Sequence, residues 1–295
     1  LTLNGDHKAY TEESAVANVS YVYYLASPGA EALQVSFVLP VAGPSAGGSY
    51  LNVSGRGFAN LGGSYCHFGA AARIVPATIV SDQLLHCISP AVMSPLAGML
   101  KKYGLRERVQ VTLNAQDYSS SDAGYLFFDK SRVHVSSLVP YGGPVLGGTK
   151  VVVRGSGFAD HNVHCTIGGN SSQVLVRATV VNASALLCLT PSRSLAAAEP
   201  IEVTLNGDVS AHTLTSDDVR FDFYNASEIR IDAIAPLGGP TEGGTLVTLE
   251  GAGYFDRGGV YCRFGADPSS SVPATLLSDS RLRCISPVSP HRSVV

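Results

Sequence analysis

The stretch PYGGPVLGGTKVVVRGSGF, residues 140–158, has two near copies: PVAGPSAGGSYLNVSGRGF at 40–58 and PLGGPTEGGTLVTLEGAGY at 236–254. The copies start 100 and then 96 residues apart. Self-similarity at a fixed spacing is the mark of an array of repeated structural units. Each copy reads P-x-x-G-P-x-x-G-G-[ST], then an alternating apolar run, then G-x-G-[FY]. Alternation puts Leu51 and Val53 on one face, with Val151 and Val153, and Val247 and Leu249, as counterparts; a period of two predicts a half-buried strand. The pairs Gly47-Gly48, Gly147-Gly148 and Gly243-Gly244 are read as tight turns into that strand. Gly55/Gly57, Gly155/Gly157 and Gly251/Gly253 are read as the turn out of it. The quoted phrase is thus expected to be the opening strand of each unit.

More of each unit follows in register. Tyr65–Gly69, His164–Gly168 and Tyr261–Gly265 correspond, as do Leu85–Pro90, Leu187–Pro191 and Leu282–Pro287. Val109–Asn114 and Ile201–Asn206 both end V-T-L-N, and Tyr125–Phe128 and Val219–Tyr224 follow them. Every piece is short, β-branched or aromatic, and bounded by Gly, Pro, Ser or Asp. About seven such strands per unit predict antiparallel β-sandwiches. Only Met93–Tyr103 offers a short helical turn, as an insertion in the first full unit. Leu1–Asn4 and Val19–Leu25 match the two late strands of a unit, and the third full phrase is not followed by theirs. The expected division is 1–28, the last two strands of a preceding unit; 29–130 and 131–227, complete units; and 228–295, a unit without its last strands. Two explanations stay open for these ends. Either the chain is a window on a longer array, or residues 1–26 of one copy complete 229–295 of the next by strand donation.

These motifs resemble the IPT/TIG domain, the immunoglobulin-like module of plexin and hepatocyte-growth-factor-receptor stalks and of fibrocystin-type ciliary surface proteins. P-x-x-G-P-x-x-G-G-T, V-x-G-x-G-F, C-x-[FI]-G and C-x-[ST]-P carry the resemblance across nearly the whole chain. It implies an all-β chain of tandem sandwiches arranged as a rod. It implies no chemistry, because the same fold serves many functions.

Composition narrows the class. The 295 residues are 45% hydrophobic and 15% charged with net charge −3. That is a globular composition, without the positive charge that draws a protein to nucleic acid. No apolar run reaches the roughly 20 residues of a membrane span. Six cysteines fall two to a unit: Cys66 and Cys87, Cys165 and Cys188, Cys262 and Cys284. Metal binding lacks the C-x-x-C spacing it needs, and free buried thiols are the bland alternative; recurrence unit by unit favours disulfides. Sequons stand at Asn18, Asn52, Asn170, Asn182 and Asn225. Asn52, between core-facing Leu51 and Val53, points outward. Asn52 and Asn170 are the expected carriers of glycans. Bridges and sequons agree on the secretory pathway.

Catalytic constellations are absent from the pattern. His161 and His164 are close in sequence but lack a carboxylate at ligand spacing, and are expected to be solvated loop histidines. G-x-G-F lacks the third glycine and the helix of a nucleotide site. Asp217-Asp218 offers too few oxygens for calcium and is read as a solvated turn. Lys101, Lys102, Arg106 and Arg108 form a basic cluster assigned to the insertion, and Tyr21, Tyr23 and Tyr24 an aromatic run. The expectation is a non-enzymatic chain without cofactor or metal: a spacer or strut in an extracellular or cell-surface glycoprotein, the ciliary surface included. Its partners would be other such units, in the same or a neighbouring chain, or a protein at the cell surface. A receptor ectodomain stalk and an accessory module of a secreted glycan-active enzyme are the alternatives.

Overall fold

The computed structural model describes Tyr23 and residues 32–69, 73–92, 104–121, 123–169, 172–210 and 213–289. The expectations for 1–28, Asn18, Tyr21, Tyr24, Met93–Tyr103, Lys101, Lys102 and Asn170 therefore lie outside the described residues, apart from Tyr23, which is exposed. Among the described residues the regular structure is strand, joined by turns and irregular segments, apart from three short 3-10 turns, Lys130–Arg132, Ala226–Glu228 and Pro268–Ser270.

In the first repeat, Gln34–Leu39, Tyr50–Arg56 and Leu84–Ile88 form one layer. Ala42–Pro44, Gly124–Phe128, Leu105–Thr112 and Tyr65–Phe68 form the other. Strand Arg73–Ile79 belongs to both: Arg73 to Pro76 pair with Phe68 to Tyr65, and Ala77 to Ile79 pair with Cys87 to Leu85. The second repeat makes the same crossing with two strands, Val174–Arg177 and Thr179–Asn182. Alternation then fills the space between layers. Leu51 and Val53 face Val109 and Val111, and Val151 and Val153 face Ile201 and Val203, all without solvent exposure.

Each cysteine pair spans the two layers. Cys66 is bonded to Cys87, Cys165 to Cys188 and Cys262 to Cys284, with Cα atoms 6.5, 6.4 and 6.3 Å apart. The alternation that points Val153 inward also points Val151 and its cross-strand partner Cys188 inward.

The quoted phrase is not the opening strand. That strand precedes it, at Gln34–Leu39, His134–Val139 and Arg230–Ala235. Pro40, Pro140 and Pro236 follow its last residue, and a residue without an N–H cannot extend the ladder. In the first two repeats the chain then changes layer, and Ala42–Pro44 and Gly142–Pro144 run parallel to the last strand of the unit. The glycine pairs turn it back, with φ of 78°, 76° and 74° at Gly47, Gly147 and Gly243. The first glycine of each G-x-G lies inside the following strand rather than in a turn. It sits beside the register shift in the opening strand, at Val35/Phe37, Val135/Ser137 and Ile231/Ala233. A Cβ on Gly55, Gly155 or Gly251 would overlap the carbonyl oxygen of Gln34, His134 or Arg230. Gly155→Ala is therefore expected to cost about 3 kcal/mol, because the clash is with backbone and a repacked side chain cannot relieve it. Urea unfolding of the variant measures this.

In the third repeat Val247, Leu249, Leu282 and Cys284 form a smaller cluster with Tyr254 and Cys262. Among the described residues it has no strands corresponding to Leu105–Thr112 and Gly124–Phe128.

Candidate functional sites at the repeat junctions

Where one repeat meets the next, the last strand ends on an aromatic residue, Phe128 or Tyr224. A 3-10 turn follows directly. Asp129 Oδ1 accepts the Ser131 N–H at 3.1 Å, and Asn225 Oδ1 accepts the Ser227 N–H at 3.2 Å. This local capping fixes the path of the linker and starts the next strand at Val133–His134 and Ile229–Arg230.

The junction of the first two repeats is packed like a core. Ala42 and Phe128 of the first repeat are buried in the hydrophobic cluster of the second, and Leu126 packs against it. The Phe128 ring stacks on the His161 imidazole with centroids 6.5 Å apart and planes 16° apart. Asn206, buried at the end of V-T-L-N, donates its Nδ2 hydrogen to the Ala42 carbonyl at 2.9 Å. His134, at the start of the second repeat, uses both ring nitrogens, Nε2 to the Ser131 carbonyl at 2.8 Å and Nδ1 to Asp217 Oδ1 at 3.1 Å. Asp217 Oδ2 accepts the Val135 N–H at 2.7 Å.

The junction of the second and third repeats is built from different groups at matching positions. Arg257, like His161, is third after the aromatic of G-x-G-[FY]. Its guanidinium lies 5.0 Å from the Tyr224 ring centroid and 4.8 Å from that of Phe255. Its Nε donates to Asp222 Oδ2 at 2.6 Å. Tyr141 joins both sides through its backbone: its N–H donates to the Arg257 carbonyl at 2.9 Å and its carbonyl accepts the Asp222 N–H at 2.8 Å. The Tyr141 hydroxyl donates to the Asp256 carbonyl. Asp256 holds the loop beyond it through the Gly259 and Gly258 N–H groups, at 2.8 and 2.9 Å, and these keep its carboxyl below the usual carboxylate range.

Several expectations change here. His161 is not a solvated loop histidine; it is half-buried against the preceding repeat. His164 is separate from it, in a strand, with Nδ1 bonded to the Asn162 carbonyl at 2.7 Å. Asp217 is not a free turn residue, since it ties the last-strand approach to the opening strand; Asp218 pairs with Arg220 at 2.8 Å. Arg106 and Arg108 belong to strand Leu105–Thr112, not to an insertion. Among the sequons, Asn52 is exposed in mid-strand. Asn182 and Asn225 each turn Oδ1 back onto the serine of their own sequon. Among the described residues no three His, Cys, Asp or Glu are grouped to hold a metal, and no helix is long and apolar enough to cross a membrane.

The two histidines titrate in opposite senses. Burial holds the His161 imidazole below its ordinary range, so its contribution is complete above about pH 6.5 and is lost as pH falls toward its folded value. The bond to Asp217 raises His134, aided by the Ser131 carbonyl. Its contribution is present at low pH and is lost as pH rises through its folded value. Thermal unfolding between pH 7.5 and 5 should show acid destabilisation that His161→Phe removes and His134→Ala deepens.

A family comparison agrees with the division into three repeats. The family model described as IPT/TIG domain matches residues 33–127, 134–223 and 230–294. Human (Homo sapiens) plexin-B1 is 30% identical over 132 residues, covering 40% of this chain and 5% of that protein. A structure of the full extracellular region of plexin A4, domains 1 to 10, superposes with TM-score 0.48 at 17% identity, over 92% of this chain and 22% of that one. A second plexin A4 structure, domains 1 to 8, gives TM-score 0.38 at 16% identity, over 88% and 31%. The chain thus spans a small fraction of the length of each of these plexins.

Proposed function

The chain belongs to the IPT/TIG domain family, and from that premise we propose that it is a non-catalytic structural and adhesive segment of a larger extracellular or cell-surface protein. Its work is to hold successive sandwiches at fixed angles, as a spacer or assembly strut. The observation that carries this is the shared core at the first junction. Phe128 belongs to one repeat by sequence and to the next by packing, so bending there exposes apolar surface. The Arg257 clamp on Tyr224 and Asp222 supports the same reading at the second junction. In this reading the repeats are 29–130, 131–227 and 228–295, residues 1–28 belong to a preceding one, and the partners are other IPT repeats or a protein at the cell surface. The three cysteine pairs support a secretory route. A receptor ectodomain stalk is the second reading, favoured by the 30% identity to plexin-B1. A ciliary address draws no support from the fold or from the relatives.

Small-angle scattering on the secreted chain tests the proposal. A single elongated particle is expected, with Arg257→Ala broadening its distance distribution. An ensemble of freely jointed repeats in the unaltered chain would contradict it.

A further inference from the structure

We infer that Asn52 carries an N-linked glycan whose first sugar covers an apolar patch on the outer face of the first repeat. This rests on the secretory reading above and goes beyond it, because it assigns a role to one glycan.

The geometry comes from strand register. In Tyr50–Arg56 the exposed residues are Tyr50, Asn52 and Arg56, with Ser54 half-buried next along the same face as Asn52. Asn52 is flanked by Leu39 on one neighbouring strand and His86 on the other, and Tyr50 by Ile88. Phe37 lies beside Ser54. Four of these side chains are apolar or aromatic and about half accessible: Phe37 51%, Leu39 49%, Tyr50 55% and Ile88 54%. His86 is held against Tyr50 by a ring contact at 4.9 Å and a hydroxyl–Nδ1 hydrogen bond. The asparagine thus stands near the middle of an apolar surface of the kind monomeric proteins keep small. A carboxamide there gains little from its neighbours, whereas a sugar attached to it presents apolar C–H faces to the rings below. Asn52 and Ser54 project from the same side of one extended strand, so acceptor nitrogen and sequon hydroxyl are presented together.

The matching positions are not sequons. In the second repeat Val152 lies between Val139 and Leu187, an unbroken apolar row. In the third, Thr248 lies between Ala235 and Arg283. The face therefore tolerates other residues at this position, and the asparagine is not required for the strand to form.

The modification is a glycosyl transfer from a polyprenyl-diphosphate oligosaccharide. The bond from sugar C1 to the diphosphate oxygen breaks, and C1 bonds to Asn52 Nδ2. Nδ2 loses one proton to a base of the transferring enzyme, and the lipid diphosphate leaves with the electron pair of the broken bond.

The test uses the full chain secreted from a eukaryotic host, with glycopeptide and disulfide mapping on one preparation. Asn52 should be occupied. Ser54→Ala should remove the mass of one glycan and shift the chain from monomer toward self-association in sedimentation, with a gain in apolar-dye binding. Asn52→Thr, which installs the residue of the third repeat, should do the same and guards against misfolding of the first variant. Enzymatic trimming to a single N-acetylglucosamine should leave the protein monomeric. An unoccupied Asn52 in a chain with all three bridges formed overturns this inference alone. Free thiols with every sequon unoccupied overturn the secretory reading as well. Occupied Asn52 with unchanged dye binding and association in both variants shows that the sugar does not cover the face, and overturns it. Self-association of the glycosylated chain through this patch would assign the face to a second copy instead.

Discussion

Replacing Phe128 by alanine is expected to cost about 3 kcal/mol, the lower end for a large aromatic removed from a core, although the residue ends a strand and precedes a linker. The residue is 7% exposed and belongs to the buried cluster of the second repeat together with Val133, Val163 and Leu205. Its loss also removes the partner of His161, which keeps its imidazole but no longer stacks. Two effects should therefore appear together. Denaturant unfolding should shift by about 3 kcal/mol, and the scattering profile should broaden because the first junction becomes a hinge. Phe128→Leu should recover most of the stability and less of the angular definition, since it restores apolar volume without a flat ring. A variant that loses stability with an unchanged distance distribution would mean that Phe128 is only a core residue and the junction is held elsewhere.

The second large effect belongs to the bridges. Exchange of Cys165 and Cys188 together for alanine should lower the stability of the second repeat by about 3 kcal/mol, the chain-entropy value for a loop of this size, here with a sequence separation of 23. Both residues are buried, so the small cavities left by the sulfurs add to the loss. Calorimetry should show one repeat melting earlier, with the others displaced only through the junctions that bind them to it. Reductant should lower the transitions of the unaltered chain and leave the second-repeat transition of the variant in place. Non-reducing peptide mapping is the direct check, and bridges between repeats would contradict the pairing.

The sandwich class could be read from sequence because it rests on short-range physics. Leu51 and Val53 share a face for any extended strand, and Val151 and Val153, or Val247 and Leu249, repeat that pattern in register. The inward direction of the cysteines, the outward direction of Asn52 and the positive φ of Gly47, Gly147 and Gly243 follow from the same local rules. Pro40, Pro140 and Pro236 were visible too, but their meaning was not. Whether a proline ends a strand or precedes one depends on which ladder the chain is leaving, and that ladder partner is Tyr50–Arg56 or its counterpart.

The junctions were decided by tertiary structure. Leu61, His161 and Arg257 occupy one position in the repeat and have no chemistry in common, so alignment of the repeats passes over them. What gives His161 and Arg257 a shared task is the aromatic residue delivered by the preceding sandwich, Phe128 to one and Tyr224 to the other. Asp217 likewise looked solvated until the fold brought the Val135 N–H to it from 82 residues away. The sequence by itself determined the repeat, through its recurrence, and most of the strands with their inward faces and the direction of the cysteines, because alternation depends on neighbours one or two residues along the chain. Only the tertiary structure decided how the repeats are joined, because a contact between residues of successive sandwiches leaves no period in the sequence.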